Sequence, residues 1–274
     1  MGPIGVFDSG YGGLTILSEF QEQLPQYDYL YLGDNARAPY GTRSFDVVYE
    51  FTLQAVEELF ARGCELVILA CNTASAKALR TIQQKDLHRL GADKRVLGVI
   101  RPSTEVVASF STTKVIGVLA TQGTVVSNSY QIEIEKFSPE CTVVQHACPL
   151  WVPLIENNEH NSPEGRAFIR HDVEALMKKN PSIDTIVLGC THYPVVKTYI
   201  ESIVPAGVRV IAQGKLVAAS LQDYLQRHPE MEKRCTKGGR TSFLTSENTH
   251  EFDQNAERFI HSKVTSEHVN LAKR

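Results

Sequence analysis

Leu66-Val67-Ile68-Leu69-Ala70-Cys71-Asn72-Thr73 and Thr185-Ile186-Val187-Leu188-Gly189-Cys190-Thr191-His192 share one pattern: an apolar, β-branched run of strand length, then a thiol, then hydroxyl-bearing residues suited to capping a helix. Placing Cys71 on Cys190 takes an offset of 190 − 71 = 119 and superposes strands, thiols and following helices. A second pair, Ile4-Gly5-Val6-Phe7-Asp8-Ser9 and Ile116-Gly117-Val118-Leu119-Ala120-Thr121, matches at 116 − 4 = 112, the difference being a loop change. These matches predict an α/β protein of two related, doubly wound units with pseudo-twofold symmetry. Its ligand cleft should lie between them, at the carboxyl ends of the strands.

Working outward, strand-like runs are expected at Ile4–Phe7, Tyr29–Leu32, Leu66–Ala70, Arg95–Val99, Lys114–Leu119, Cys141–Gln145, Thr185–Gly189 and Val208–Ile211. They alternate with helical patterns at Phe45–Arg62, Thr73–Gly91, Pro163–Asn180 and Tyr193–Val204, the signature of parallel sheets joined by right-handed crossovers. The expected division is 1–97 plus 211–274 for one unit and 98–210 for the other. In the tail a helix over Lys215–Arg227, a strand over Thr241–Thr245 and a helix over Asn248–Ser262 should pack back on the first unit, leaving Thr265–Arg274 as frayed terminus.

A chain of 274 residues can bury about three quarters of the surface its unfolded form exposes, so it needs no staples. Its six cysteines lack the density of a disulfide scaffold and show no metal-type pair spacing, so free thiols in a reducing cytoplasm are expected. A net charge of −3 gives no case for nucleic acid or an anionic membrane surface. No run is long enough to cross a bilayer, and the chain enters a strand at Ile4 without a signal-peptide pattern. Such a chain suits a cytoplasmic protein acting on a small molecule.

The chemistry concentrates at the strand ends. Two thiols from two similar halves can face one substrate from opposite sides, the geometry for taking a proton from one face and delivering another to the opposite face. That is racemisation without a cofactor. The thiolate is the base, and a helix N-terminus after each cysteine should favour it. Asp8 and His192, beside the two thiols, are candidates for acid and base support. Asp8-Ser9-Gly10-Tyr11-Gly12-Gly13 ends the first strand, and either a helix starting near Leu14 aims amide N–H groups at an anion or the stretch is a tight strand-to-helix turn with Asp8 and Ser9 as caps. Gly33-Asp34-Asn35-Ala36-Arg37-Ala38-Pro39-Tyr40-Gly41 is a loop able to hold Tyr40 and the Gly41 amide toward the cleft, or else a surface turn pairing Arg37 with Asp34. Cys64, Cys141, Cys148 and Cys235 have no matched partner and read as structural thiols, and Trp151 as a packing anchor.

Asp8-Ser9-Gly10, Pro39-Tyr40-Gly41, Ala70-Cys71-Asn72-Thr73-Ala74, Thr121-Gln122-Gly123-Thr124, Cys148-Pro149-Leu150 with Glu156, and Gly189-Cys190-Thr191-His192-Tyr193-Pro194 together resemble the bacterial glutamate racemases, over about the first 210 residues. The resemblance implies cofactor-independent interconversion of L- and D-glutamate, supplying D-glutamate for peptidoglycan, in a homodimer. It implies that Cys71 takes the α-proton of D-glutamate and Cys190 that of L-glutamate, assisted by Asp8 and His192. Ser9, Pro39, Tyr40, Gly41, Asn72, Thr73, Thr121, Thr124, Glu156 and Thr191 would hold the substrate. The chain departs from that pattern at Tyr11, at Asn35 and Ala38, and at Ala212-Gln213-Gly214, where an aspartate and a serine are expected. The rival readings are a racemase for aspartate or another small amino acid, a binding protein without turnover, and a one-thiol enzyme such as a decarboxylase.

Overall fold

The computed structural model describes residues 1–260 and 262–271. The β-branched runs form strands, and those in the middle of each sheet are buried on both faces, as parallel sheets covered by helices require. Six strands, β1 (Ile4–Asp8), β2 (Tyr29–Gly33), β3 (Leu66–Leu69), β4 (Arg95–Gly98), β9 (Thr241–Thr245) and β10 (Ser266–His268), make one sheet in the order β10-β9-β2-β1-β3-β4. Four more, β5 (Val115–Ala120), β6 (Thr142–Ala147), β7 (Thr185–Gly189) and β8 (Arg209–Ile211), make a second in the order β6-β5-β7-β8. Every named pairing in both sheets is parallel.

The internal repeat survives at the level of register. In the first sheet Gly5, Val6 and Phe7 oppose Val67, Ile68 and Leu69. Adding 112 to the first set and 119 to the second gives Gly117, Val118 and Leu119 opposite Ile186, Val187 and Leu188, which is the pairing found in the second sheet. The pseudo-twofold relation therefore holds residue for residue through the two central strand pairs. It delivers Asp8 and Ser9 next to Cys71, and Thr121 next to Cys190.

Two expectations need correction. The stretch from Thr73 to Gly91 is not one helix: it runs as Asn72–Lys77, Leu79–Thr81, a π turn at Ile82–Asp86, and Leu87–Leu90. The wide turn rotates the face so that Ile82 is buried while Asp86 accepts a hydrogen bond from the Tyr49 hydroxyl at 2.8 Å. Nor is the described part of the expected frayed terminus Thr265–Arg274, residues 265–271, loose: Ser266–His268 is a strand parallel to β9, tied by a bond from Ser266 N to Asp253 Oδ1 at 3.0 Å and a salt bridge between Glu267 and Arg62 at 2.8 Å. Val269 and Leu271 are buried against the sheet; residues 272–274 lie outside the described ones. The helix Thr249–Ile260 buries Phe252, Ala256 and Ile260 in the core of the first sheet, and among the described residues no helix is long and apolar enough to cross a membrane.

Candidate functional site

A small cavity, about 40 Å³, opens between the carboxyl ends of the two sheets. By that measure it holds about three water molecules. Asp8, Ser9, Pro39, Tyr40, Gly41, Cys71, Asn72, Thr73, Thr121, Cys190, Thr191 and His192 all line it. Of the residues singled out in the sequence, Thr124 and Glu156 stand behind its wall. Thr124 accepts a hydrogen bond from Thr121 Oγ1 at 3.1 Å, and Glu156 meets His192. Sequence reasoning missed Thr42, Gln122, Pro149, Val152 and Pro153, and set Cys148 aside as structural although it lines the same cavity. Cys148 follows β6 directly, so the strand-end rule that selected Cys71 would also have selected it.

Cys71 sits where β3 turns into the helix Asn72–Lys77, and it is that helix's N-cap. Its Sγ accepts from the Ala74 amide at 3.4 Å and lies 3.4 Å from Ser9 Oγ. Burial nonetheless pushes this thiol up to about 12, and the neighbouring Asp8 charge adds to the shift, while Ser9 and the Ala74 N–H pull the other way. The expected activation by the helix N-terminus is present but outweighed by desolvation.

Cys190 is held differently. It leaves β7 into a 3-10 turn, Tyr193–Val196, and the α-helix begins only at Lys197. No helix N-terminus meets this thiol; its neighbour is His192 Nδ1 at 3.9 Å, while His192 Nε2 lies 2.9 Å from Glu156 Oε1. Burial disfavours the imidazolium, but the Cys190 sulfur and the Glu156 carboxylate more than offset it and raise His192 to about 10. The ring is further confined by the edge of Phe259, centroids 5.8 Å apart, and by Gly12, where a Cβ would come within 2.4 Å of Nδ1.

Two side chains at the cavity are engaged within their own loops. Of the two readings of the glycine-rich turn the capped one is found: the amides of Gly10 and Gly13 are taken by the Asp8 carboxylate, with Gly10 N at 2.9 Å from Oδ1. Burial raises Asp8 above the usual carboxylate range, the His192 cation opposing it. The Tyr40 hydroxyl donates to Asp34, which also pairs with Arg37 at 2.7 Å, so Tyr40 presents its ring and backbone to the cavity. The loop is anchored across the cleft: Gly123 N donates to Gly41 O at 2.8 Å, and Thr73 Oγ1 meets Thr121 Oγ1 at 3.0 Å. Trp151 is fully buried beside Tyr193, as a packing anchor should be.

The model of the Asp/Glu/hydantoin racemase family matches residues 13–221. The chain belongs to that family. Among family members, the glutamate racemase of Ruegeria sp. (strain TM1040) is 39% identical over 274 residues, 96% of this chain and 98% of that one. Among solved structures, glutamate racemase isoform RacE1 of Bacillus anthracis superposes with a TM-score of 0.90 at 32% identity, covering 100% of this chain and 99% of the other. The Francisella tularensis glutamate racemase, solved in complex with D-glutamate, gives 0.87 at 31% identity, covering 99% and 98%.

Proposed function

We propose that this chain interconverts L- and D-glutamate without a cofactor, using two cysteine thiols on opposite faces of the α-carbon, and so supplies D-glutamate for peptidoglycan. The observation that carries the reading is that Cys71 and Cys190, from equivalent strands of two symmetry-related sheets, line one enclosed cavity. The relatives named glutamate racemase support the choice of substrate, as does the D-glutamate held by the Francisella protein.

From L-glutamate, Cys190 as thiolate removes the α-proton while the neighbouring His192, raised to about 10, stays cationic at neutral pH. The electron pair is delocalised into the α-carboxylate. Cys71, which keeps its proton because burial pushes it up to about 12, delivers that proton to the other face. The reverse direction exchanges the roles, with Ser9 and the Ala74 N–H as the donors that stabilise the Cys71 thiolate and Asp8 as its acid–base neighbour. Ser9, Pro39, Tyr40, Gly41, Asn72, Thr73, Thr121 and Thr191 hold the carboxylates and ammonium group, while Thr124 and Glu156 brace Thr121 and His192. Exclusion of bulk water protects the carbanion and strengthens each of these contacts.

The division into 1–97 plus 211–274 and 98–210 belongs to the same proposal, supported by the way β5 to β8 form a sheet of their own. So does a cytoplasmic homodimer, to be checked by cell fractionation and sedimentation. The deciding experiment follows the α-proton in deuterated water from each glutamate enantiomer. Deuterium in the inverted product supports the proposal; absence of exchange, with aspartate equally inert, leaves a binding protein as the better account.

A further inference from the structure

One buried contact joins the helix layer over the second sheet to the Cys71 side of the cleft. Tyr130, on the helix Ser129–Phe137 that covers the second sheet, is fully buried and donates its hydroxyl to Asn72 Oδ1 at 2.8 Å. Asn72 lies on the other side of the cleft, next to Cys71 in sequence and lining the cavity. With Oδ1 taken, its remaining polar atom is Nδ2, which is buried and has no partner. A primary amide carries two N–H donors, and burying them unpaired is costly unless a ligand supplies the acceptor.

The surroundings of Tyr130 fix which way the amide faces. Its ring fills the space above Gly189, where a Cβ would come within 3.1 Å of Cε2, so the residue before Cys190 is small enough to admit it. The Gln213 side chain lies beside the same hydroxyl and is itself anchored, donating from Nε2 to Val99 O at 3.0 Å and Ser103 Oγ at 2.9 Å. With both Nε2 protons so engaged, Gln213 has none left for the hydroxyl, whose own proton goes to Asn72 Oδ1. Gln213 is also one of the positions at which the chain departs from the family pattern.

We propose that Tyr130 is a positioning residue for substrate binding: from the Cys190 side of the cleft it holds Asn72 so that the amide N–H groups point into the cavity, toward a carboxylate of the substrate. The proposal rests on the glutamate reading above. It makes part of the carboxylate site on the Cys71 wall depend on a side chain from the opposite unit, so the binding geometry is complete only when the two units are docked.

The test is a double-mutant cycle on the full chain, with Tyr130→Phe, Asn72→Ala and the pair. The affinity for each glutamate enantiomer would be measured by calorimetry, kcat and KM by racemisation, and folding by thermal melts. Loss of one orienting hydrogen bond should weaken binding roughly tenfold for Tyr130→Phe, with kcat changed much less. In the Asn72→Ala background the same substitution should cost nothing further. A Tyr130→Phe protein that binds glutamate as the wild type does, or that loses affinity additively with Asn72→Ala, overturns the proposal. So does a lowered melting temperature with unchanged affinity, the mark of a merely structural tyrosine. A wild-type protein that neither binds nor racemises glutamate overturns the substrate reading itself, and this inference with it.

Discussion

Cys71 and Cys190 arrive at the cavity on strands whose registers map onto each other residue for residue, yet the two thiols are governed by different chemistry. Cys71 is a helix N-cap surrounded by neutral donors and a carboxylate, and burial keeps its proton on. Cys190 has no helix to lean on and answers instead to an imidazole backed by Glu156. Symmetry of the backbone has fixed where the thiols stand, while the residues one or two places further on fix which groups surround each of them. A pair acting as acid and base on one substrate needs one thiol protonated and the other ionised at the start of each turnover, and the two roles exchange with the enantiomer.

The largest expected effect comes from removing either thiol. Cys71→Ser and Cys190→Ser should each lower racemisation by about 10³-fold or more, a hydroxyl being far too weak an acid to replace a thiolate. The two should differ in a way that mirrors the asymmetry. With Cys190 and its imidazole intact, Cys71→Ser should still wash deuterium into L-glutamate without inversion, and Cys190→Ser should not. Equal loss of exchange from both would erase the distinction drawn above.

Gly12→Ala comes next. Its Cβ would lie 2.4 Å from His192 Nδ1 and 2.5 Å from Thr191 Oγ1, so the ring must move off Cys190, with turnover falling about a hundredfold. The change touches the Cys190 wall alone, and exchange started by Cys71 from D-glutamate should suffer less. A smaller effect is expected of Glu156→Gln. Its carboxylate stabilises the imidazolium, so without it His192 loses its proton at lower pH, and the alkaline limb of the pH–rate profile should retreat by roughly one unit. The same coupling bears on stability. A folded value of about 10 against 6.5 for a free imidazole gives stabilisation that is complete below about 6.5 and lost as pH rises through about 10. His192→Asn should therefore destabilise more at pH 6 than at pH 10.5, as read by denaturant melts. Ser9→Ala, removing one neutral hydrogen bond from Cys71, should cost only about three- to tenfold in kcat. In every variant kcat/KM must remain equal for the two enantiomers, since their equilibrium constant is unity.

The strands were readable because parallel strands buried on both faces are nearly continuous apolar runs, as Ile4–Phe7 and Ile186–Gly189 are. Their ends were readable for the same reason, and with them Asp8, Cys71, Thr121 and Cys190. What could not be read depends on contacts made only after folding. Thr42 and Gln122 reach the cavity because Gly123 N docks on Gly41 O. Tyr130 reaches Asn72 across 58 residues, from a helix whose sequence carries no sign of it. The terminal strand Ser266–His268 is three partly or fully exposed residues whose conformation is dictated by the edge it joins, not by its own pattern.

The bonds that stitch Gly41 to Gly123 and Thr73 to Thr121 across the mouth of the cleft have a kinetic consequence. Both thiols are only 6% exposed, so an amino acid cannot arrive or leave while these stitches hold. Each is worth about 1 kcal/mol net, small enough to break on the microsecond-to-millisecond scale and large enough to keep the site shut during proton transfer. Where release of product limits turnover, a substitution that tightens this seam, far from either sulfur, would slow the enzyme by prolonging the residence of its own product.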